Sequence, residues 1–247
     1  MFTIGVVSLF PELVEPVMEV GVVGRAAERG LVSLVQISPR ELTTDRHRTV
    51  DDRPYGGGPG MVLKYEPLRD AVHELRRRLP AGSREFVLTA QGRPFDQALA
   101  RELAQAPGLL LVCGRYEGID ERFVEAVVPA ELSLGDYVLS GGEPAAAVVI
   151  DAVTRLLPGV LGDACSHVED SFTAGLLDCP QYTRPEVADG RRVPDVLLRG
   201  DHEAIKRWRL KQALGRTWLR RPELLQRRAL SEDERRLLDE FKAERPG

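Results

Sequence analysis

Cysteine is scarce in this chain. Cys113, Cys165 and Cys179 are its whole supply, an odd number with no CxxC pair. That argues against a disulfide framework and a thiolate zinc site, and free thiols fit a reducing compartment. Long apolar runs are also missing: no stretch approaches the roughly 18–20 residues that a membrane-crossing helix needs. The opening MFTIGVVSLFPELVEP has no basic leader region, and Glu12 and Glu15 follow close behind its short apolar run. It is expected to be a buried strand and not a signal peptide, and the expected location is cytoplasmic. Strong charge of either sign is absent. A net charge of −4 with a pI near 5.7 is unlike a wholly basic nucleic-acid-binding domain, so any such site must come from a local patch. His47, His73, His167 and His202 are scattered without metal-ligand spacing, and no GxSxG elbow supports a Ser-His-Asp site. The one phosphate-loop look-alike, 52–61, fails both nucleotide patterns. Gly60 is followed by Met61 and Val62, not by Lys and Ser or Thr, and Met61 or Leu63 stands where GxGxxG needs its last glycine.

What is present is core material. Of 247 residues, 43% are hydrophobic and 29% charged, which suits one large domain or two smaller ones and excludes wholesale disorder. No internal repeat is found. Residues 2–9 and 31–37 read as strands, 11–20 as a helix with Pro11 in its first turn, and 43–60 as a long polar loop. Leu68, Val72, Leu75 and Leu79 recur at helical spacing. Residues 85–89 read as a strand, and Asp96 as the N-cap of a helix to Gln105. The continuous apolar run 108–113 predicts a central parallel strand buried on both faces. A short helix near 120–127, a strand within 131–139 and a helix over 144–157 follow. Alternating strands and helices make this an α/β protein with a mostly parallel sheet, whose ligands belong at the carboxyl ends of the strands. Turn-formers fill 163–195. Beyond them Asp201 reads as the cap of a helix to Leu214, and Ser231 with Glu234 as a capping box before Leu237, Leu238 and Phe241. The expected divisions are a domain over 1–162, a linker over 163–175 and a small, mainly helical domain over 176–247.

Five stretches can carry chemistry. Gly114-Arg115-Tyr116-Glu117-Gly118-Ile119-Asp120 follows the buried strand. Its glycines admit a flat ligand, and Glu117 can accept hydrogen bonds from amines or hydroxyls; an ordinary turn with Asp120 as a helix cap explains it equally well. Leu134-Gly135-Asp136-Tyr137-Val138-Leu139-Ser140-Gly141-Gly142-Glu143-Pro144 is a second glycine-rich turn whose amides can bind polar groups. Its plain alternative is a tight turn needing positive φ at Gly141 and Gly142. The segment 52–61, with Gly58 at its centre, reads as a mobile cover or as a flexible surface loop. Around Asp170, acidic and aromatic residues cluster in a loop, and the plain alternative for Asp170 is a helix cap. Finally, 199–228 holds ten Arg and Lys against Asp201, Glu203 and Glu223. Lys206, Arg209, Arg216, Arg220 and Arg221 are read as phosphate contacts, Gly58 of the 52–61 segment as a further RNA contact, and Trp208 and Trp218 as core residues.

Taken in order, SLFPE (8–12), DDRPYGGGPGMV (51–62), GRYEGIDER (114–122), LGDYVLSGGE (134–143), LLPGVLG (156–162), DSF (170–172), GLLDCPQYTRP (175–185) and WRLKQALGRTWLRRPELL (208–225) closely resemble the bacterial tRNA (guanine-N1)-methyltransferases, the TrmD type within the SPOUT methyltransferases. Each piece is ordinary alone; the ordered set, spanning nearly the whole chain, is specific. The resemblance implies a sheet whose C-terminal part is tied in a trefoil knot. It also implies a pocket for S-adenosylmethionine lined by Gly114 and by Leu134, Gly135, Asp136, Tyr137, Val138 and Leu139, with Glu117, Gly118, Gly141, Gly142 and Pro144 nearby. It assigns Asp170 as general base and Arg155 as the cation beside guanine O6. It further implies a Mg²⁺ requirement, a homodimer with active sites at the subunit interface, and the tRNA anticodon stem-loop as partner, methylated at guanosine 37. Ala90 and Gln181 depart from the family pattern, which often has Pro and His there. The alternatives are a SPOUT enzyme with another RNA target and a non-catalytic RNA-binding protein.

Overall fold

The structure is a computed structural model and describes residues 1–161 and 170–244. The chain divides into two compact units, Met1–Ala164 and Cys165–Gly247. Residues 163–169 of the expected linker lie outside the described residues.

The first unit is built on a five-stranded parallel sheet. Its strands are β1 (Phe2–Val7), β2 (Val32–Ile37), β5 (Arg84–Pro94), β6 (Gly108–Cys113) and β7 (Glu131–Ser133), in the order β2-β1-β6-β5-β7. The short pair β3 (Asp51–Asp52) and β4 (Val62–Leu63) stands apart and is antiparallel. Helices α1 (Gly21–Glu28), α3 (Gln97–Leu103) and α5 (Glu143–Thr154) contribute to one apolar layer, and α2 (Tyr65–Arg78) and α4 (Glu121–Ala126) to the other. Side chains alternate across a strand. Accordingly Leu109, Leu111 and Cys113 enter the first layer, while Leu110 and Val112 enter the second. All six residues of β6 are buried, as a central strand covered on both faces requires.

Local sequence signals were accurate where a cap marks an end. Asp96 accepts from Leu99 N at 2.8 Å, and Asp120 accepts from Arg122 N at 3.0 Å. The expected helix over 11–20 is instead two 3₁₀ turns, Pro11–Leu13 and Glu15–Met18, with the α-helix beginning at Gly21. Pro16 lacks the N–H that would continue an α-helical ladder from Pro11, so the chain takes tighter, shorter turns. β5 runs on to Pro94, past the expected end at Thr89, by way of a register shift against β7 between Leu88 and Arg93. The backbone of Gly92 lies so close to that of Leu132 that no side chain fits there.

The second unit is mainly helical: α6 (His202–Arg220), α7 (Pro222–Gln226) and α8 (Glu232–Ala243), with a small hairpin of β8 (Val187–Ala188) and β9 (Arg191–Arg192). Asp201 caps α6 through Glu203 N and Ala204 N, and Ser231 with Glu234 forms the expected capping box. α6 runs past Leu214 to Arg220 because nothing in Gly215–Arg220 forbids it. Gly215 within it lets the Phe241 ring of α8 close onto the helix backbone. Leu176, Leu214, Leu237 and Leu238 make this unit's core.

Candidate functional site

At the carboxyl ends of β5, β6 and β7 the first unit opens into a cleft of about 450 Å³. Three segments wall it: the bulge of β5 (Thr89, Ala90, Gln91), the turn after β6 (114–119) and the turn after β7 (133–142). Of the twelve residues read as pocket-forming, ten line the cleft: Gly114, Glu117, Gly118, Leu134, Gly135, Tyr137, Val138, Leu139, Gly141 and Gly142. Asp136 shares the turn but is not part of the wall, and Pro144 sits within the first turn of α5, outside it. The β5 bulge went unread apart from Ala90, because a register shift leaves no local signature.

The two glycine turns are locked together by a buried ionic relay. Glu143 is fully buried, and its carboxylate accepts from Ser8 Oγ at 2.6 Å and from Arg115 Nε at 2.9 Å. The Arg115 guanidinium also donates to Ser140 O at 3.2 Å and lies 4.6 Å from the Phe10 ring centroid. Ser8 Oγ in turn accepts from Phe10 N at 2.9 Å. Three motifs far apart in sequence are thereby joined: 8–10, 115 and 140–143. A buried carboxylate is tolerated only when so paired.

This packing corrects the reading of Gly141 and Gly142. Neither adopts a positive φ; Gly142 has φ −78°. Both are glycine because of close approach. A Cβ on Gly142 would stand 2.6 Å from Cys113 Cα, and one on Gly141 would meet the Arg115 guanidinium. Positive φ falls instead at Gly118 and Gly135, and at Tyr116 with φ 59°. A non-glycine residue there stores backbone strain of a kind that clusters at functional sites. The Tyr116 hydroxyl accepts from Arg40 Nη2 at 3.3 Å. Burial and the neighbouring Glu143 carboxylate push the Cys113 thiol well above its ordinary pKa, so it is inert beneath the cleft.

The segment 52–61 is anchored beside the cleft at one end. Glu117 N donates to Met61 O at 3.0 Å, Leu63 N to Gly118 O at 2.9 Å and Asp120 N to Leu63 O at 3.0 Å. Gly60 packs against the Glu117 side chain, whereas nothing approaches Gly56, Gly57 or Gly58, all with positive φ. The loop is thus fixed at its root and open at its tip. Around the mouth, Tyr116, Tyr137, Val138 and Leu139 expose apolar side chains, Val138 almost wholly.

Arg155 is half-buried and caps the carboxyl end of α5 in the first unit. In the second unit Asp170 does not cap a helix; it precedes a tight turn over 171–174, with Thr173 N bonded to Asp170 O at 3.2 Å. Phe172 holds φ 71° in that turn, with Arg221 5.8 Å from its ring centroid. Ser171 Oγ accepts from Asp178 N, and buried Thr217 of α6 accepts from Leu177 N at 2.9 Å. Among the described residues no group of three or more His, Cys, Asp or Glu is placed to hold a metal ion. No described helix is long and apolar enough to cross a membrane.

On α6 the cations divide into two classes. Arg207 and Lys211 pair with Glu240 and Glu244 of the segment around α8 at 2.7 and 2.6 Å. Lys206, Arg209, Arg216 and Arg220 enter no ion pair among the described residues. At about 100° per residue these four fall within about 80° of arc, a single stripe along the helix. Arg221, just beyond, is paired with Glu223. The tryptophans are not core residues. Trp218 is 39% exposed beneath Lys242, and Trp208 is half-buried beside Tyr182, with ring centroids 6.3 Å apart. Buried positions of this unit are taken by Leu176, Leu214, Leu237, Leu238 and Phe241, which leaves the indoles at its edge.

Comparison with known proteins adds the following. The family model "tRNA (Guanine-1)-methyltransferase TrmD" matches residues 2–227. A tRNA (guanine-N(1)-)-methyltransferase of Chromohalobacter salexigens is 61% identical over 247 residues, covering 98% of this chain and 92% of the relative. Proteins with the same name from Escherichia coli K12 and Salmonella schwarzengrund are each 58% identical over 241 residues, covering 98% of this chain and 94% of theirs.

Proposed function

This chain belongs to the tRNA (guanine-1)-methyltransferase family of the TrmD type, and we propose from that premise that it moves a methyl group from S-adenosylmethionine to N1 of guanosine 37, beside the tRNA anticodon. The observation that carries this reading is the folding of two motifs distant in sequence, 114–118 and 134–142, into one glycine-lined cleft at the strand ends. The cleft suits the donor's chemistry. Leu88, Leu134 and Leu139 give apolar wall for a flat base, Glu117 accepts from hydroxyls or amines, and close-approach glycines leave backbone at the surface. Bound there, S-adenosylmethionine supplies a sulfonium methyl, an electrophile already activated.

The chain's own residues then have three tasks. N1 of guanine carries a proton and its lone pair is delocalised, so a base must remove that proton. Asp170 is assigned that role, accepting the N1 proton on a carboxylate oxygen. A carboxylate alone is weak against such an N–H. Arg155 is assigned to O6, where a cation stabilises the charge that shifts onto oxygen and makes N1 more acidic. The Ser8–Glu143–Arg115 relay holds the donor turns rigid, so that alignment is not lost to motion. The target must leave its stack for these groups to reach it. The stripe Lys206, Arg209, Arg216 and Arg220, with Arg221 beyond, is assigned to the anticodon stem-loop backbone, and the open tip at Gly58 to covering the site. The apolar mouth at Tyr137, Val138 and Leu139 supports a homodimer whose second copy completes each site. Work on tRNA and free buried thiols fit a cytoplasmic protein.

The test is methyl transfer from labelled donor to an unmodified tRNA transcript, followed by nucleoside analysis. The expected product is 1-methylguanosine, abolished when guanosine 37 is replaced by adenosine. Label at another nucleotide or another atom overturns the assignment.

A further inference from the structure

The helical unit carries a second hollow, of about 650 Å³, that shares no residue with the methyl-donor cleft. Tyr182 and Trp208 face it with their rings tilted 52° to one another, and Ile205, Leu197 and Val193 form its apolar floor. Arg184 and Arg209 stand at its edge. The one carboxylate of its lining, Glu186, is already paired with Arg192 at 2.8 Å. The hollow therefore combines aromatic faces with two cations whose charge no carboxylate among the described residues neutralises. Arg209 also belongs to the stripe of α6, so the hollow opens onto the surface assigned to the RNA backbone.

A flat ring laid against the free face of the indole or the phenol, with an anion within reach of two guanidiniums, is the chemistry of a nucleotide. Aromatic platforms beside cationic grooves hold unstacked bases in single-stranded segments. Asp170 is not among the lining residues, nor is any residue of the donor cleft. The base held here is accordingly assigned to a position other than the methylated one. We infer that the Tyr182–Trp208 hollow captures a second unstacked nucleobase of the RNA substrate, while Arg184 and Arg209 contact its flanking phosphates. This rests on the tRNA reading above. It deepens that reading by giving the helical unit a base-holding role as well as a backbone grip. Held so, the loop is pinned at two bases, which fixes the splay of the target.

The experiment uses the full chain carrying Trp218→Phe, which leaves Trp208 as the sole tryptophan. Its emission is followed as an anticodon stem-loop transcript is added, with a set of transcripts each abasic at one loop position. The expected result is quenching at saturating RNA, lost with one abasic position other than the target guanosine. Tyr182→Ala, at an exposed residue whose removal spares the fold, weakens RNA binding on the order of 10- to 100-fold. Trp208→Phe retains most affinity and Trp208→Ala does not. Neither Tyr182→Ala nor Trp208→Ala adds its loss to that of the critical abasic position. Silent Trp208 emission, full additivity with every abasic transcript, or loss of quenching only when the target guanosine is abasic each overturns the inference. Nucleoside analysis separates the two claims. Absence of 1-methylguanosine sinks the proposed function, whereas normal product with a silent Trp208 sinks this inference alone.

Discussion

Glu143 shows how one residue joins chemistry to packing. Its carboxylate is fully buried, yet both oxygens are engaged, one by a hydroxyl and one by a guanidinium whose own side chain is 16% exposed. Removing one partner of such a pair leaves the other as an unpaired buried charge. Glu143→Ala is expected to cost about 3–5 kcal/mol in a denaturant melt at neutral pH. Glu143→Gln, which still offers Ser8 an acceptor, costs less. Donor affinity in a titration should fall with both, because Arg115 loses the anchor that places Ser140 and Gly141. Asp170 is a different case. Proton removal belongs to the reaction and not to the fold, so Asp170→Asn should lower the single-turnover rate by about 10²–10⁴-fold while donor affinity is kept. A near-parental rate would remove Asp170 from the role of base.

At the scale of elements, α6 does two jobs on two sides. One side meets α8 through Gly215 against Phe241 and through the Arg207 and Lys211 ion pairs; the other carries four cations that enter no ion pair among the described residues, three of them exposed and Arg216 half-buried. Arg216→Glu reverses one charge within the stripe, and should weaken transcript binding at low salt while leaving donor binding unchanged in the same titration. The helix also secures the segment after the 171–174 turn. Thr217 is wholly buried, and its hydroxyl accepts from Leu177 N while donating to Ala213 O at 2.7 Å. Thr217→Val keeps the shape and removes the acceptor. The stranded Leu177 N–H should cost about 1–3 kcal/mol of stability in thermal or denaturant unfolding. A valine variant as stable as the parent would mean that water serves that amide as well as Thr217 does.

For the whole molecule, charge distribution matters more than charge total. The chain is net −4, yet 199–228 has ten cations against three acids. Binding through such a patch releases condensed counterions, so affinity should fall steeply with salt. Neutralising Arg209, Arg216 and Arg220 together should reduce the slope of log affinity against log salt by about one for each phosphate contact removed. An unchanged slope would place the RNA backbone on another surface.

Element positions in this protein were legible because their causes are local. The apolar run 108–113 reads as a strand covered on both faces, and Asp96, Asp120, Asp201 and Ser231 cap within three residues of themselves. Of the twelve residues to which the ordered motifs pointed, ten line the cleft, since turns at strand ends gather at one edge of a parallel sheet. What the sequence could not decide were contacts between distant positions. Ser8 and Glu143 lie 135 residues apart, the β5 bulge depends on how β7 docks, and the hollow at Tyr182 and Trp208 exists only once 180–186 folds beside α6. Why Gly141 and Gly142 are glycine was decided in the same way, by the backbone at Cys113 and the Arg115 side chain and not by their own dihedral angles. Propensity and capping act over a few residues of chain, whereas burial, close approach and charge pairing act through space, and the folded chain alone sets those distances.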